Sequence, residues 1–229
     1  MKVLIIIPAF NEEENLIKLI DNIKICCPFY DILIVNDCST DNTRLLRFQP
    51  PVYKIDLGSN LGIGGAVQTG YKFAYYNDYD VAIQVDGDGQ HNPKYIKDLI
   101  EEINKGENMC LGSRFIDKAG FQSTFARRIG IVYFSNLIHL VCKKRITDPT
   151  SGFRACDKTV IKMFAKRYPT DYPEPETVVY LAKNKLRIKE IPVVMNERES
   201  GVSSINLIKS IYYMIKVSIA ICFTSISNR

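Results

Sequence analysis

The segment Val81-Ala82-Ile83-Gln84-Val85-Asp86-Gly87-Asp88-Gly89-Gln90-His91 joins an apolar run to an acidic tip. Val81 to Val85 has the length and composition of a buried strand. Two carboxylates one residue apart at its end repel each other unless a cation lies between them. Hard divalent ions such as Mg²⁺ or Mn²⁺ take carboxylate oxygens and bridge to diphosphates. An acidic turn is the plainer reading, since Asp and Gly are turn formers. Gln90, His91 and the motifs elsewhere in the chain weigh toward a metal–diphosphate site.

Outward from that strand, short apolar runs alternate with helical patterns. Val3 to Ile7 reads as a strand, followed by a helix capped by Asn11 with Glu12, Glu13 and Glu14 in its first turn. Ile32 to Val35 is a second strand ending in Asn36-Asp37, a helix starts near Thr40-Asp41, and Val52 to Ile55 is a third strand. Gly62 to Tyr76 is helical, as is Pro93 to Lys105, and Met109 to Leu111 is a strand. This alternation predicts a mostly parallel α/β sheet with ligands at the carboxyl ends of its strands. Pro8 to Asn11, Asn36 to Ser39 and Asp86 to His91 all fall at such ends.

The second half is less regular. Phe125 to Lys144 reads as a helix, 147–154 and 171–176 as loops (the latter broken by Pro173 and Pro175), and Leu186 to Val194 as a strand. There is no internal repeat, no low-complexity tract and no linker. A chain of 229 residues with 46% hydrophobic content is expected to form one domain. Net charge is +5, without the dense basic stripe of a nucleic-acid binder. The seven cysteines contain no CxxC pair, and the apolar N-terminus is too short for a signal peptide. A cytoplasmic chain with reduced thiols is the expectation.

Six motifs in series now carry a resemblance. They are Pro8-Ala9-Phe10-Asn11-Glu12-Glu13, Val35 to Asp41, Asn60-Leu61-Gly62, Asp86 to His91, Gly112-Ser113-Arg114-Phe115 and Ser151-Gly152-Phe153-Arg154. Together they resemble family 2 glycosyltransferases, in the branch of dolichol-phosphate mannosyltransferase and bacterial polyprenyl-phosphate sugar transferases. The resemblance spans roughly residues 3 to 204. It implies a GT-A (Rossmann-like) fold, a nucleotide-sugar donor and inversion at the anomeric carbon. UDP-sugar is the preferred donor, with GDP-mannose the alternative, because Asp37 can pair with either base.

By that resemblance Pro8, Phe10 and Glu12 contact the ribose and base, and Asp37 reads the base. Glu12 as a helix-start residue and Asp37 as a cap or turn residue are the structural alternatives. Gly62-Ile63-Gly64-Gly65 imitates a dinucleotide fingerprint, but Val67 stands where its third glycine belongs. Gly62 and its neighbours are expected to bring the helix start close to the nucleotide. The family pattern places Asp86, Asp88 and Gln90 around Mg²⁺ or Mn²⁺, which neutralises the departing diphosphate. Arg198 and Ser203 resemble a segment closing over that diphosphate, and an Arg fork suits phosphate oxygens. A surface ion pair of Arg198 with Glu197 or Glu199 is the alternative.

Two acceptors remain open. A polyprenyl phosphate is already an anion and needs cations, for which the resemblance offers Arg114, Arg127, Arg128 and Arg154. A sugar hydroxyl of a lipid-linked or capsular oligosaccharide needs a base, and Glu174 and Glu176 sit where relatives carry one. A nucleotide-sugar-binding subunit without turnover is the non-enzymatic alternative. Absence of tryptophan excludes the Gln-x-x-Arg-Trp motif of processive synthases. A glycosyltransferase domain over 1–204 is expected to be followed by an amphipathic helix within 205–229. Ile211 to Ile226 is apolar, carries Lys216 with Lys209 on the same face, and is too short to span a bilayer. It is expected to lie in the membrane interface with its lysines toward headgroups, or to pack against the core or a partner. A peripheral enzyme on the cytoplasmic membrane face, with a small membrane protein as partner, follows from the resemblance.

Overall fold

The computed structural model describes residues 1–120, 125–196 and 207–226. Arg198 and Ser203 lie outside the described residues, as does the side chain of Lys209.

Seven strands form one sheet: β1 (Val3–Ala9), β2 (Asp31–Asn36), β3 (Val52–Asp56), β4 (Val81–Gln84), β5 (Met109–Ser113), β6 (Arg154–Asp157) and β7 (Ile188–Pro192). Their order across the sheet is β3-β2-β1-β4-β6-β5-β7. β1 pairs in parallel with β2 and β4, β2 with β3, and β5 with β7. β6 runs antiparallel to both β4 and β5, so the other six strands share one direction.

Successive residues of a strand face opposite sides of the sheet, and two cores follow. Ile5, Ile7, Ile32, Ile34 and Ile83 pack against α1 (Glu13–Cys26) and α3 (Ile96–Asn104). Leu4, Ile6, Leu33, Val35 and Ala82 face the larger layer. That layer contains α2 (Gly62–Tyr76), α4 (Phe125–Cys142), α5 (Lys158–Lys166), α6 (Pro173–Lys183) and α7 (Leu207–Ile226). Cys27, Cys110 and Cys156 are buried free thiols, and burial pushes Cys27 up to about 11 and Cys156 up to about 12.

Several expectations are corrected. Asn11 does not cap α1. It has φ +57°, and its Oδ1 accepts from Thr40 N at 2.8 Å, tying the end of β1 to the loop after β2. The helix expected near Thr40 is a single 3₁₀ turn, Asn42–Leu45, capped by Asp41. Residues 154–157 are a strand rather than the end of a loop, and α5 follows with Asp157 as its cap. The expected loop at 171–176 is largely the first turn of α6. Pro173 and Pro175 fit there because the first-turn N–H groups of a helix have no intrahelical acceptor.

Candidate active site

The carboxyl ends of β1, β2 and β4 open on one cleft of about 650 Å³ lined by Pro8, Phe10, Glu12, Asp37, Gly62, Asp86 and Asp88, among others. Each position follows from a strand ending. Phe10 and Asn11 leave β1 exposed, with Phe10 47% accessible over the cleft. Glu12 is the cap position ahead of α1, and its Oε2 accepts from Asn15 Nδ2 at 2.7 Å. Asp37 leaves β2 nearly buried; its Oδ1 accepts from Leu61 N at 2.7 Å, while Asn60 Nδ2 donates to its carbonyl. One Asp37 oxygen thus fixes the turn into α2. Gly62, with φ +74°, lines the cleft. Gly64 does not serve the cleft as expected: a Cβ there would stand 2.1 Å from Pro169 O, so this glycine lets α2 abut the segment before α6.

The acidic motif turns directly after β4. Asp86 Oδ1 accepts from Gln84 Nε2 at 3.0 Å, and Asp88 Oδ1 accepts from Gln90 N at 3.1 Å. Asp86, Asp88 and Gln90 are all partly exposed. Two carboxylates and an amide oxygen are donors of the type a hard divalent ion takes. Gly152 preserves their room, since a Cβ there would lie 2.9 Å from Asp86 Oδ2. Among the described residues no group of three or more His, Cys, Asp or Glu side chains is assembled as a complete metal cage. Two acids at a cleft floor suit an ion that keeps positions for a ligand's phosphates and for water.

The four arginines differ in position. Arg154 is fully buried: it donates to Ser151 O and, at 2.8 Å, to Thr177 Oγ1 of α6. It is a scaffold residue, out of reach of an acceptor phosphate. Arg114 is committed to Asp148 through a bidentate pair, Nε to Oδ2 at 2.7 Å and Nη2 to Oδ1 at 2.8 Å. Asp148 is fully buried, and Glu190 accepts from its backbone N–H at 2.8 Å. Arg127 and Arg128 are exposed on the first turn of α4.

The two glutamates also separate, because residues two apart on a helix point to different faces. Glu176 turns to α7, where Thr224 Oγ1 donates to its Oε1 at 3.2 Å. Glu174 lies on the side of Arg154 and Asp86. Burial raises its pKa, aided by the Asp86 charge, and the Arg154 guanidinium opposes that rise. Asp148, Gln84 and Tyr213 were missed by sequence reading. Gln84 left a signal, a lone amide inside an otherwise apolar strand. Tyr213 of α7 packs on Tyr172 at 4.5 Å and Phe134 at 5.3 Å, and the charges of Glu174 and Asp148 help raise its pKa after burial.

A mostly parallel sheet with an acidic turn after its central strand, beside a strand-end cleft, defines a glycosyltransferase of the GT-A class. The chain belongs to glycosyl transferase family 2, which its residues 4–164 match. It is 32% identical over 213 residues to UDP-N-acetylglucosamine--dolichyl-phosphate N-acetylglucosaminyltransferase of Methanococcus voltae, covering 82% of this chain and 83% of that one. Identity is 28% over 218 residues with undecaprenyl-phosphate mannosyltransferase of Micrococcus luteus, covering 90% of this chain and 88% of the relative. The fold is also that of glucosyl-3-phosphoglycerate synthase from Mycobacterium tuberculosis, crystallised with Mn²⁺, UDP and phosphoglyceric acid. That likeness has a TM-score of 0.73 at 14% identity and covers 98% of this chain and 78% of that one.

Proposed function

We propose that this glycosyltransferase moves one sugar from a nucleoside-diphosphate sugar, by preference a UDP-sugar, to a polyprenyl phosphate, with inversion. The observation that carries the donor side is the convergence of Phe10, Asp37, Gly62, Asp86 and Asp88 on one cleft. Phe10 offers a face for a base and Asp37 an acceptor for base N–H groups. Asp86, Asp88 and Gln90 would hold Mg²⁺ or Mn²⁺. When bound, that ion supplies charge neutralisation to the leaving diphosphate. An acceptor phosphate oxygen forms the new bond to the anomeric carbon as the bond to the diphosphate breaks. The nucleophile is already ionised, so no side chain has to remove a proton. Arg127 and Arg128, on the helix that follows the cleft-side end of β5, are the acceptor cations in this reading, and Arg198 and Ser203 the cover over the diphosphate.

The acceptor reading is supported by the relatives, whose names specify dolichyl phosphate and undecaprenyl phosphate. A surface feature agrees with it. Ile129, Val132 and Tyr133 of α4 and Tyr212, Ile215, Ile219, Phe223 and Ile226 of α7 are exposed, each set along one side of its helix. Among the described residues no helix is long and apolar enough to cross a membrane. Paired apolar stripes on two neighbouring helices suit shallow seating in a bilayer on its cytoplasmic face. Lys216, expected to face headgroups, pairs with Asp171 ahead of α6.

Purified protein given UDP-N-acetylglucosamine or GDP-mannose, Mn²⁺ and undecaprenyl phosphate is expected to form a lipid-linked monosaccharide. EDTA or Asp88→Ala is expected to abolish it. Full activity in EDTA sinks the metal assignment.

A further inference from the structure

Of Ser151-Gly152-Phe153-Arg154, only Arg154 is an expected acceptor residue, and it is buried, while Gly152 leaves room for the Asp86 carboxylate. We propose that His91, braced by Phe153 and working opposite Gln84, is a positioning residue that holds Asp86 in its ligand-binding pose. The proposal rests on reading Asp86 as a metal ligand.

Backbone geometry comes first. Val85 N–H still bonds to Ile6 O of β1 at 2.9 Å, but the strand ladder ends there. The next amide, Asp86 N–H, donates at 2.9 Å to Nδ1 of His91, five residues on. The imidazole therefore replaces the missing strand partner and closes the acidic turn on itself. A neutral ring that accepts at Nδ1 carries its proton on Nε2, and Nε2 lies 3.6 Å from Asp86 Oδ2. The ring is held in turn: it is 5% exposed and stacks on Phe153 at 4.9 Å with planes 12° apart. Phe153 is fully buried, and its carbonyl accepts from Gly112 N of β5 at 2.8 Å.

The carboxylate is fixed from the other face of the sheet. Gln84 is fully buried in register with Arg154 and donates its amide to Asp86 Oδ1. Its Oε1 has no partner among the described residues. An unpaired buried amide oxygen is costly. Rotating the amide would aim that oxygen at the carboxylate instead, so the orientation serves Asp86. Gly152 leaves the space in which both side chains meet; a Cβ there would lie 2.9 Å from Asp86 Oδ2 and from Gln84 Nε2. One motif thus contributes a gap at Gly152, a ring support at Phe153 and a buried anchor at Arg154. Groups that orient a ligand from behind are worth about 10–100-fold in metal affinity.

The test is Mn²⁺ affinity in the presence of UDP, read from the electron paramagnetic resonance signal of free Mn²⁺, with thermal unfolding recorded alongside. His91→Leu keeps bulk but removes the acceptor, and is expected to weaken Mn²⁺ binding by about 10-fold or more. In His91→Asn, Oδ1 stands as many bonds from the backbone as Nδ1 did, and it is expected to restore most of that loss. Phe153→Leu, which removes the ring under the imidazole, is a second route should His91→Leu fail to fold; it is expected to weaken Mn²⁺ binding with the unfolding transition retained, and unchanged Mn²⁺ affinity in it overturns the positioning role. Asp86→Ala separates the two readings: unchanged Mn²⁺ affinity in that variant overturns both. If Asp86→Ala loses Mn²⁺ while His91→Leu keeps it, or His91→Asn binds as weakly as His91→Leu, the positioning role alone is overturned.

Discussion

Asp148 and Arg114 are paired in the protein interior, Asp148 fully and Arg114 mostly buried. Removing one member of such a pair leaves the other charge without compensation, at a cost of about 3–5 kcal/mol. Arg114 keeps some contact with solvent, so Asp148→Ala should fall near the lower end. A lower urea midpoint at unchanged slope is the expected reading. Glu174 makes a prediction of opposite sign. Its pKa is raised above the usual carboxylate value, chiefly by burial, so the folded state favours the neutral acid. That contribution is fully present below the unfolded pKa and is lost as pH rises through the folded one. Glu174→Gln mimics the neutral acid. It should raise the melting temperature at pH 7 to 8, and the gain should vanish once the pH falls below the ordinary carboxylate range. An equal gain at every pH counts against the raised pKa. Of the candidate site residues, the place of those at strand ends was legible, because an apolar run that stops at Asp37 or Asp86 announces its own position. Arg114 and Arg154 were not. Whether an arginine is spent on a buried partner depends on Asp148 and Thr177, which lie 34 and 23 residues away.

Among the elements, β6 escaped sequence reading for a physical reason. Arg154-Ala155-Cys156-Asp157 has weak strand propensity, and it is a strand because β4 and β5 flank it and satisfy its backbone groups on both sides. α6 was obscured by prolines that only a first turn accepts. α7 was anticipated as an amphipathic helix, but its role is divided. Val217 and Ile221 belong to the larger core, Tyr133 and Ser218 join it to α4, and Thr224 reaches Glu176 on α6. Its outward stripe is the part assigned to lipid. Phe223→Glu and Ile219→Glu change exposed positions, so the unfolding free energy should stay within about 0.5 kcal/mol of the parent. Co-sedimentation with phosphatidylglycerol-containing vesicles should drop in both. Undiminished vesicle binding would remove α7 from the membrane reading.

At the scale of the whole molecule the acceptor is the decisive question. With a polyprenyl phosphate, Glu174→Gln and Glu176→Gln should keep most activity, whereas Arg128→Ala should raise the acceptor KM by removing a charge-assisted phosphate contact. A sugar on phosphate is released by mild acid, and an ordinary glycoside is not. An acid-stable product together with a loss of about 10²-fold or more in Glu174→Gln would instead mark a general base and a hydroxyl acceptor. Hydrophobic period and turn residues are local properties. They determined the parallel α/β alternation, the helix at Gly62–Tyr76 and the acidic turn after β4 without help from the rest of the chain. Tertiary structure alone decided which polar groups are spent on one another. The antiparallel insertion of β6 buries Arg154 beneath Glu174, sets Gly152 against Asp86 and places Phe153 under His91. Those outcomes depend on contacts between residues far apart in the chain, where desolvation and pairing are settled by packing and leave no local pattern to read.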